Sequence, residues 1–320
     1  MGRSAELLGE MMTLQKTLVA LLFLVGIASA FAQQPGGGRN ANLTPEQQAQ
    51  REKQRAAQAV ADSVRPIDAL DTVWIEEQTW METRDAIKAG KTTAIIGSGG
   101  LEKNGPYNAN GKHNFVLRST CDAIARRLGN ALCAPIVTME PGNPENPNLT
   151  PGAVFITEDT FRAVLRDMST SLKTMGFTNI IMIADSGGNV TGMTEVAKAL
   201  NAKWNGTPAR VHYVTEYYTQ DIWSFDYLKT LGILQQPDVR SATRWDIHDD
   251  YHYESLVALT DPRLIRAEQR IKANKLTINQ VEIGSVAKML ENGKKLLDYR
   301  AKIAADAITK AIADWKPATQ

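Results

Sequence analysis

The stretch TNIIMIADSGGN, residues 178–189, decides how this chain folds. Ile180 to Ile183 form an unbroken apolar run, Asp185 leaves it, and Ser186-Gly187-Gly188-Asn189 turns the chain. An apolar run without alternation reads as a strand buried on both faces, the habit of parallel sheets covered by helices. Its flanks agree. In TEDTFRAVLRDMSTSLKTMG, residues 157–176, Thr157 stands at an N-cap and Gly176 where a C-cap glycine belongs. GMTEVAKALNAKW, 192–204, reads as the helix that follows. Farther out, TTAIIGSGG (92–100), ALCAPIVTM (131–139) and ARVHYVTEYY (209–218) read as three more strands. ETRDAIKAG (82–90) is a helix ending at Gly90, and NFVLRSTCDAIARRLGN (114–130) an amphipathic helix with Val116, Leu117, Cys121, Ile124, Ala125 and Leu128 on one face. The fold class expected is α/β, three layers α/β/α around a mostly parallel sheet. Ligands in such sheets sit at the carboxyl ends of the strands, where both glycine turns, 97–100 and 187–188, fall. From Pro262 onward the chain reads as mostly helical, with Val286, Leu290, Leu297, Ile303, Ala304, Ala307, Ile308 and Ala311 as a packing stripe.

The bulk properties bound the rest. The 320 residues allow one large domain or two small ones, and 43% hydrophobic content is enough for a real core. A formal net charge of +1, with no basic stripe interleaved with aromatics, argues against a nucleic-acid partner. Lys16 followed by TLVALLFLVGIASAFA reads as a secretory signal peptide over residues 1–32, cleaved after Ala30 or after Ala32. The run is shorter than the roughly 20 residues a membrane span needs, so no membrane association is expected after cleavage. An exported, periplasmic chain is the expectation. Residues 33–65 are polar and read as a flexible linker with a short helix after Thr44-Pro45-Glu46, leaving residues 66–320 as the folded domain. Cys121 and Cys133 read either as a disulfide, which an oxidising compartment permits, or as two buried thiols.

Three stretches carry chemistry. Gly97-Ser98-Gly99-Gly100 is no phosphate loop: no Gly-Lys-Ser/Thr closes it, and Glu102 stands where a phosphate would be repelled. Glu102 and His113 offer ligands suited to zinc or a similar ion, although the pair alone is unspecific. Asp185 at a strand end is aimed into the crevice, and Gly187 and Gly188 allow close approach. Ser186 lacks the G-x-S-x-G elbow of a serine hydrolase. In RWDIHDDYHYES, 244–255, Asp246, His248, Asp249, Asp250, His252 and Glu254 gather two of the chain's four histidines with four acids. Such density reads as a metal or acid–base site, or as an acidic N-cap for YHYESLVALT; the two are compatible.

Together these stretches resemble the creatininase family of metal-dependent amidohydrolases. The family pattern runs Glu-x-His-Gly-Pro-His with an Asp eleven residues after the Glu. It continues with Asn-Gly-His-Gly-Gly-Asn at a strand end and a His-Ala-Gly segment leading into Glu-Thr-Ser. This chain has Glu102-Lys103-Asn104-Gly105-Pro106-Tyr107 with His113 eleven after Glu102, then Ala184-Asp185-Ser186-Gly187-Gly188-Asn189, then His248-Asp249-Asp250 leading to Glu254-Ser255. SLKTMGFTNIIMI and Pro151-Gly152 are similar to further family segments, and the resemblance covers roughly 70 to 260. It departs at Asn104, His113 and Ser186, where the family has His, Asp and His. The resemblance implies a metal-dependent hydrolase acting on a C–N bond of a small amide or cyclic amide, with one or two zinc, manganese or iron ions per subunit. Glu102, His113, Asp185 and His248 would be metal ligands. His248, Asp250 and Glu254 would be catalytic. Asn104, Tyr107, Ser186, Gly187, Gly188 and Asn189 would bind substrate. The resemblance also implies a homo-oligomer, commonly a hexamer. The rival readings are an inactive periplasmic binding or scaffold protein on the same fold, and a serine hydrolase using Ser186 with His248 and an aspartate.

Overall fold

The computed structural model describes residues 44–146, 151–235, 248–279 and 281–315. The leader, the start of the linker and Asp246 lie outside the described residues. The chain divides after Val64 into two units. In the first, where a flexible linker with a short helix was expected, α1 spans Pro45–Ala61. Thr44 Oγ1 accepts from Gln47 N at 3.3 Å while Gln47 Oε1 accepts from Thr44 N at 3.0 Å, and Pro45 opens the helix. None of its residues is buried, so caps and helix-forming residues make it rather than a core.

The second unit begins with a 3₁₀ turn, Ile75–Glu77, and α2, Trp80–Lys88. Four parallel strands follow: β1 Thr93–Ser98, β2 Ala131–Cys133, β3 Asn179–Ala184 and β4 Arg210–Tyr213, in the order β2-β1-β3-β4. The crossovers are α3 Lys112–Leu128, α4 Glu158–Met175 and α5 Asn189–Lys203. β1 and β3 pair over their whole lengths, from Thr93 against Asn179 to Ser98 against Ala184. Because β2 lies on one side of β1 and β3 on the other, the chain reverses direction across the sheet at this pair, opening a crevice at their carboxyl ends. The predicted caps of α4 form: Thr157 Oγ1 accepts from Thr160 N, and Gly176 takes φ +115°.

ARVHYVTEYY does not stay extended. β4 ends at Tyr213, and Thr215–Tyr218 is a helical turn, α6, that carries Tyr217 under β3. α7 Gln220–Thr230 and α8 Tyr251–Thr260 follow, then a 3₁₀ turn Pro262–Ile265 and α9 Ala267–Ala273. The region expected to be mostly helical also holds a two-stranded hairpin, β5 Thr277–Ile278 with β6 Val281–Glu282. α10, Val286–Asp314, closes the fold. Two apolar clusters result. One wraps the sheet; the other joins α8, the hairpin and the first half of α10 through Leu256, Val257, Ile278, Met289 and Leu296. Cys121 and Cys133 are free and buried, the thiol reading. Among the described residues, no helix is long and apolar enough to cross a membrane.

The buried stripe of α10 differs in phase from the expected one. It runs through Met289, Asn292, Gly293, Leu296, Arg300, Ala301, Ala304, Ala305 and Ile308, leaving Leu290, Leu297 and Ile303 half-buried. Polar Asn292 and Arg300 and side-chain-free Gly293 lie on the face that packs, so an apolar count misplaces it. Asn292 Nδ2 donates to Tyr251 Oη at 3.0 Å. A Cβ on Gly293 would fall 2.4 Å from the backbone oxygen of Ser255 in α8. Gly293→Ala should therefore destabilise the fold by about 1–3 kcal/mol in denaturant titration, even though alanine is the better helix former. A stabilised variant would mean α8 and α10 are not in this close contact.

Candidate active site

Asp185 is the first residue past β3, and its backbone N–H donates to Ser98 O at 2.9 Å, tying the ends of β3 and β1 together. Its carboxylate is wholly buried. Oδ1 meets His113 Nδ1 at 2.6 Å; Oδ2 accepts from Tyr217 Oη at 2.7 Å and from Arg300 at 3.1 Å. On the far side of the ring, His113 Nε2 lies 2.8 Å from Glu102 Oε1. A chain Glu102–His113–Asp185–Arg300 thus runs from the loop after β1, through the start of α3 and the end of β3, to the middle of α10. Lys112, the first residue of α3, places Nζ 3.0 Å from Glu102 Oε1 and donates to the backbone oxygen of His248 at 2.5 Å. It lies over the ring of Tyr253, 4.5 Å from the centroid.

Each charge follows from its neighbours. Burial works to raise the Glu102 carboxyl, but the Lys112 ammonium and then His113 outweigh it and hold it well below the usual carboxylate range. Burial likewise opposes charge on His113; the hydrogen bonds to Asp185 and Glu102 overcome it, and its pKa is raised. Asp185 is held low: burial pushes up, while His113, Arg300 and Tyr217 pull down. A histidine with a carboxylate at each nitrogen donates from both, the imidazolium state. Glu140 moves the other way, raised by burial and by the charge of Glu102 against the opposing hydrogen bond from Ser186.

These groups face a cavity of about 330 Å³ whose wall also includes the Ser186-Gly187-Gly188 turn, Tyr218 and Phe225. Ser186 Oγ donates to Glu140 Oε2. The two glycine turns make room for this carboxylate: a Cβ on Gly100 would lie 3.0 Å from its Cδ, and one on Gly188 2.9 Å from Oε2. The glycines therefore cradle a protein side chain.

Of the residues expected here, Glu102, His113, Asp185, His248, Asp250, Ser186, Gly187 and Gly188 line the cavity. His248 Nδ1 is 3.2 Å from the backbone oxygen of Lys103 and 3.8 Å from Glu102 Oε1. Asp250 caps α8, accepting from Tyr253 N at 3.0 Å, and pairs with His252 Nδ1 at 2.6 Å, so the capping half of that dual reading is realised. Four residues have other work. Asn104 Nδ2 donates to the backbone oxygen of Ala109 at 2.9 Å and lies 3.3 Å from those of Glu102 and Asn110. Tyr107 lies under the guanidinium of Arg270, 4.3 Å from the centroid. Asn189 Nδ2 donates to the backbone oxygens of Ser98 and Gly99 at 3.0 and 2.7 Å. Glu254, expected to be catalytic, is wholly buried and paired with Arg270 at 2.6 Å, outside the cavity wall, because a carboxylate facing inward from α8 needs a cation beside it. Sequence reasoning missed Lys112, Glu140, Tyr217, Tyr253 and Arg300. Glu140 ends TME after a predicted strand and could have been found by asking which acids lie at carboxyl ends. Nothing in the sequence links Arg300, on a distant helix, to Asp185.

The donors do not suit a divalent ion. Both nitrogens of His113 and both oxygens of Asp185 are engaged with protein groups, and an ammonium sits on Glu102. No group of three or more His, Cys, Asp or Glu side chains among the described residues is arranged to hold a metal ion.

The family profile described as Creatininase, Creatinine amidohydrolase, matches residues 76–302, and the chain belongs to that family. Solved structures share the fold. A crystal structure of creatinine amidohydrolase aligns at 18% identity and TM-score 0.54, covering 75% of this chain and 98% of that one. A mutant creatininase of Zn-Zn type and a structure described as Creatininase Mn each align at 18% identity and TM-score 0.53 over the same shares. Among curated proteins, none matches the chain.

The paired charges make stability depend on pH in two directions. His113 binds its proton more tightly folded than unfolded, so its contribution is complete below about pH 6.5 and is lost as pH rises through the higher folded value. Glu102 and Asp185 contribute above about pH 4.5 and lose their contribution as pH falls through their depressed folded values. Wild-type protein should lose unfolding free energy above neutral pH relative to His113→Gln. Parallel curves for the two proteins from pH 6 to pH 10 would mean that His113 is not held as imidazolium.

Proposed function

We propose that this chain hydrolyses a C–N bond in a small amide or cyclic amide held at the carboxyl ends of β1 and β3. Membership of a family described by creatinine amidohydrolase supports the reaction class. The single observation that carries it to this chain is the Glu140–Ser186 pair in the cavity wall, beside the Gly187-Gly188 backbone. Glu140 is the group suited to move a proton. Burial raises its pKa toward the working range of a general base, and Gly188 leaves its carboxylate uncovered. In this reading Glu140 takes a proton from water as the water oxygen bonds to the carbonyl carbon. The tetrahedral oxyanion is stabilised by Lys112 and the Gly187-Gly188 N–H groups. Glu140 then returns the proton to the nitrogen as the C–N bond breaks. Ser186 orients Glu140. The apolar leader supports an exported enzyme, and the family resemblance supports a homo-oligomer.

The second reading, a binding protein that has lost catalysis, is favoured by the mutual pairing of Glu102, His113 and Asp185, which leaves those groups no proton to exchange. Both readings are separated by incubating the protein with a panel of small linear and cyclic amides, following products by mass spectrometry and binding by thermal shift. The expected outcome is turnover that falls 100-fold or more in Glu140→Gln, as loss of a general base does, with the thermal shift retained. Thermal shifts without turnover of any member would establish the binding reading instead.

A further inference from the structure

We propose that Lys112 is the resident cation of this pocket: its ammonium stands in for the divalent ion that relatives of Zn-Zn and Mn type carry, and the site takes up no divalent metal. The inference is separate from the question of turnover, since it holds equally for an enzyme and for a binding protein.

The first observation is where the ammonium lies. Lys112 Nζ is 3.0 Å from Glu102 Oε1, the oxygen that also meets His113 Nε2, and it is 2.5 Å from the backbone oxygen of His248. Glu102 and His248 were both expected as metal ligands. Lys112 draws on each, using carboxylate oxygen from the first and carbonyl oxygen from the second. The Tyr253 ring, 4.5 Å away, offers its negative face as a further wall. Such a seat of carboxylate, carbonyl and aromatic face is what an ammonium needs when it leaves water. Lys112 is only 2% exposed, so the seat must replace nearly all of its hydration.

The second observation is that the backbone alone would not put a lysine here. Lys112 is the first residue of α3, where the helix macrodipole is positive and a cation is disfavoured by about 0.3–1 kcal/mol. The cost is borne for Glu102 rather than for the helix. A surface lysine at this position would swing into solvent, but this one is drawn inward.

The third observation concerns the neighbours. A metal ligand needs a free lone pair. Both ring nitrogens of His113 already face carboxylate oxygens, Nδ1 toward Asp185 at 2.6 Å and Nε2 toward Glu102 at 2.8 Å. Asp185 has three protein partners on its two oxygens. A divalent ion could enter only by displacing the ammonium from Glu102 and from the His248 carbonyl.

Two measurements test this. Purified wild-type protein, dialysed and then equilibrated with zinc or manganese, is assayed for bound metal by elemental analysis and for stabilisation by thermal shift. Fewer than about 0.1 metal ions per chain and no thermal shift are expected at concentrations far above a structural zinc site's Kd. Near-stoichiometric metal, with a thermal shift, would overturn the proposal. The same two readings are then taken on Lys112→Met, which keeps the length and removes the charge. Tenfold or greater gain in metal uptake over wild type is expected, because Glu102 and the His248 carbonyl lose their cation. A folded Lys112→Met with no gain would overturn the proposal, since something other than Lys112 would then be excluding the metal. Should Lys112→Met not fold, Lys112→Gln is the second variant and is read in the same way.

Discussion

A carboxylate with no exposed surface stands at the carboxyl end of the central strand, and much of the molecule is arranged around keeping it charged. Asp185 in isolation would take up a proton rather than stay ionised in such a place. It remains an anion because three elements deliver donors to it: α3 brings His113, α6 brings Tyr217, and α10 brings Arg300. Removing one of these partners would strand a buried charge at a cost of about 3–5 kcal/mol, so each donor also locks its element in place. The turn of α6, the entry of α3 and the phase of α10 are three consequences of one requirement. The sheet core would permit other placements of all three; the charge does not.

The same requirement reaches the pocket. His113, protonated to serve Asp185, offers its other N–H to Glu102, and Glu102, held ionised, draws Lys112 inward. Charge alternates along the line from Arg300 through Asp185, His113 and Glu102 to Lys112. The similar solved structures include a creatininase of Zn-Zn type and one described as Creatininase Mn; in this chain the cation beside Glu102 is the Lys112 ammonium. Glu140 stands outside this line, with its partner Ser186 and two glycine turns that give it room. It is the carboxyl whose pKa rises in the cavity wall, while Glu102, Asp185 and Asp250 are all held low. An environment that splits the carboxyl groups in this way sorts them into roles: fixed charges on one side, a proton-exchanging group on the other.

The sequence carried the fold well. Apolar runs at Ile180–Ile183 and Ala94–Ile96 became the paired central strands, the caps of α4 fell at Thr157 and Gly176, and the family motifs placed the crevice. Its local signals were weaker where tertiary contact overrides propensity. Tyr213 to Tyr218 reads as strand, yet the last four residues turn into α6 and carry Tyr217 to Asp185. On α10 the buried face includes Asn292 and Arg300, which hydrophobic periodicity discards. The site was half legible. Motif order grouped Glu102, His113, Asp185 and His248, and the four line one cavity. Their chemistry was not legible, since whether a carboxylate binds a metal or a lysine depends on a residue, Lys112, whose inward orientation no spacing rule reveals. Asn104, Tyr107, Asn189 and Glu254 look like site residues by type, and each spends its polar group on holding the scaffold.

The most direct test is a crystal structure of the wild-type protein grown in excess zinc, with diffraction collected at the zinc absorption edge. The expected result is Lys112 Nζ within hydrogen-bonding distance of Glu102, His113 bridging Glu102 and Asp185, and no anomalous peak within bonding distance of any of them. An anomalous peak coordinated by Glu102 and His113, with Lys112 displaced into solvent, would contradict the claim that side-chain cations have replaced the metal in this pocket.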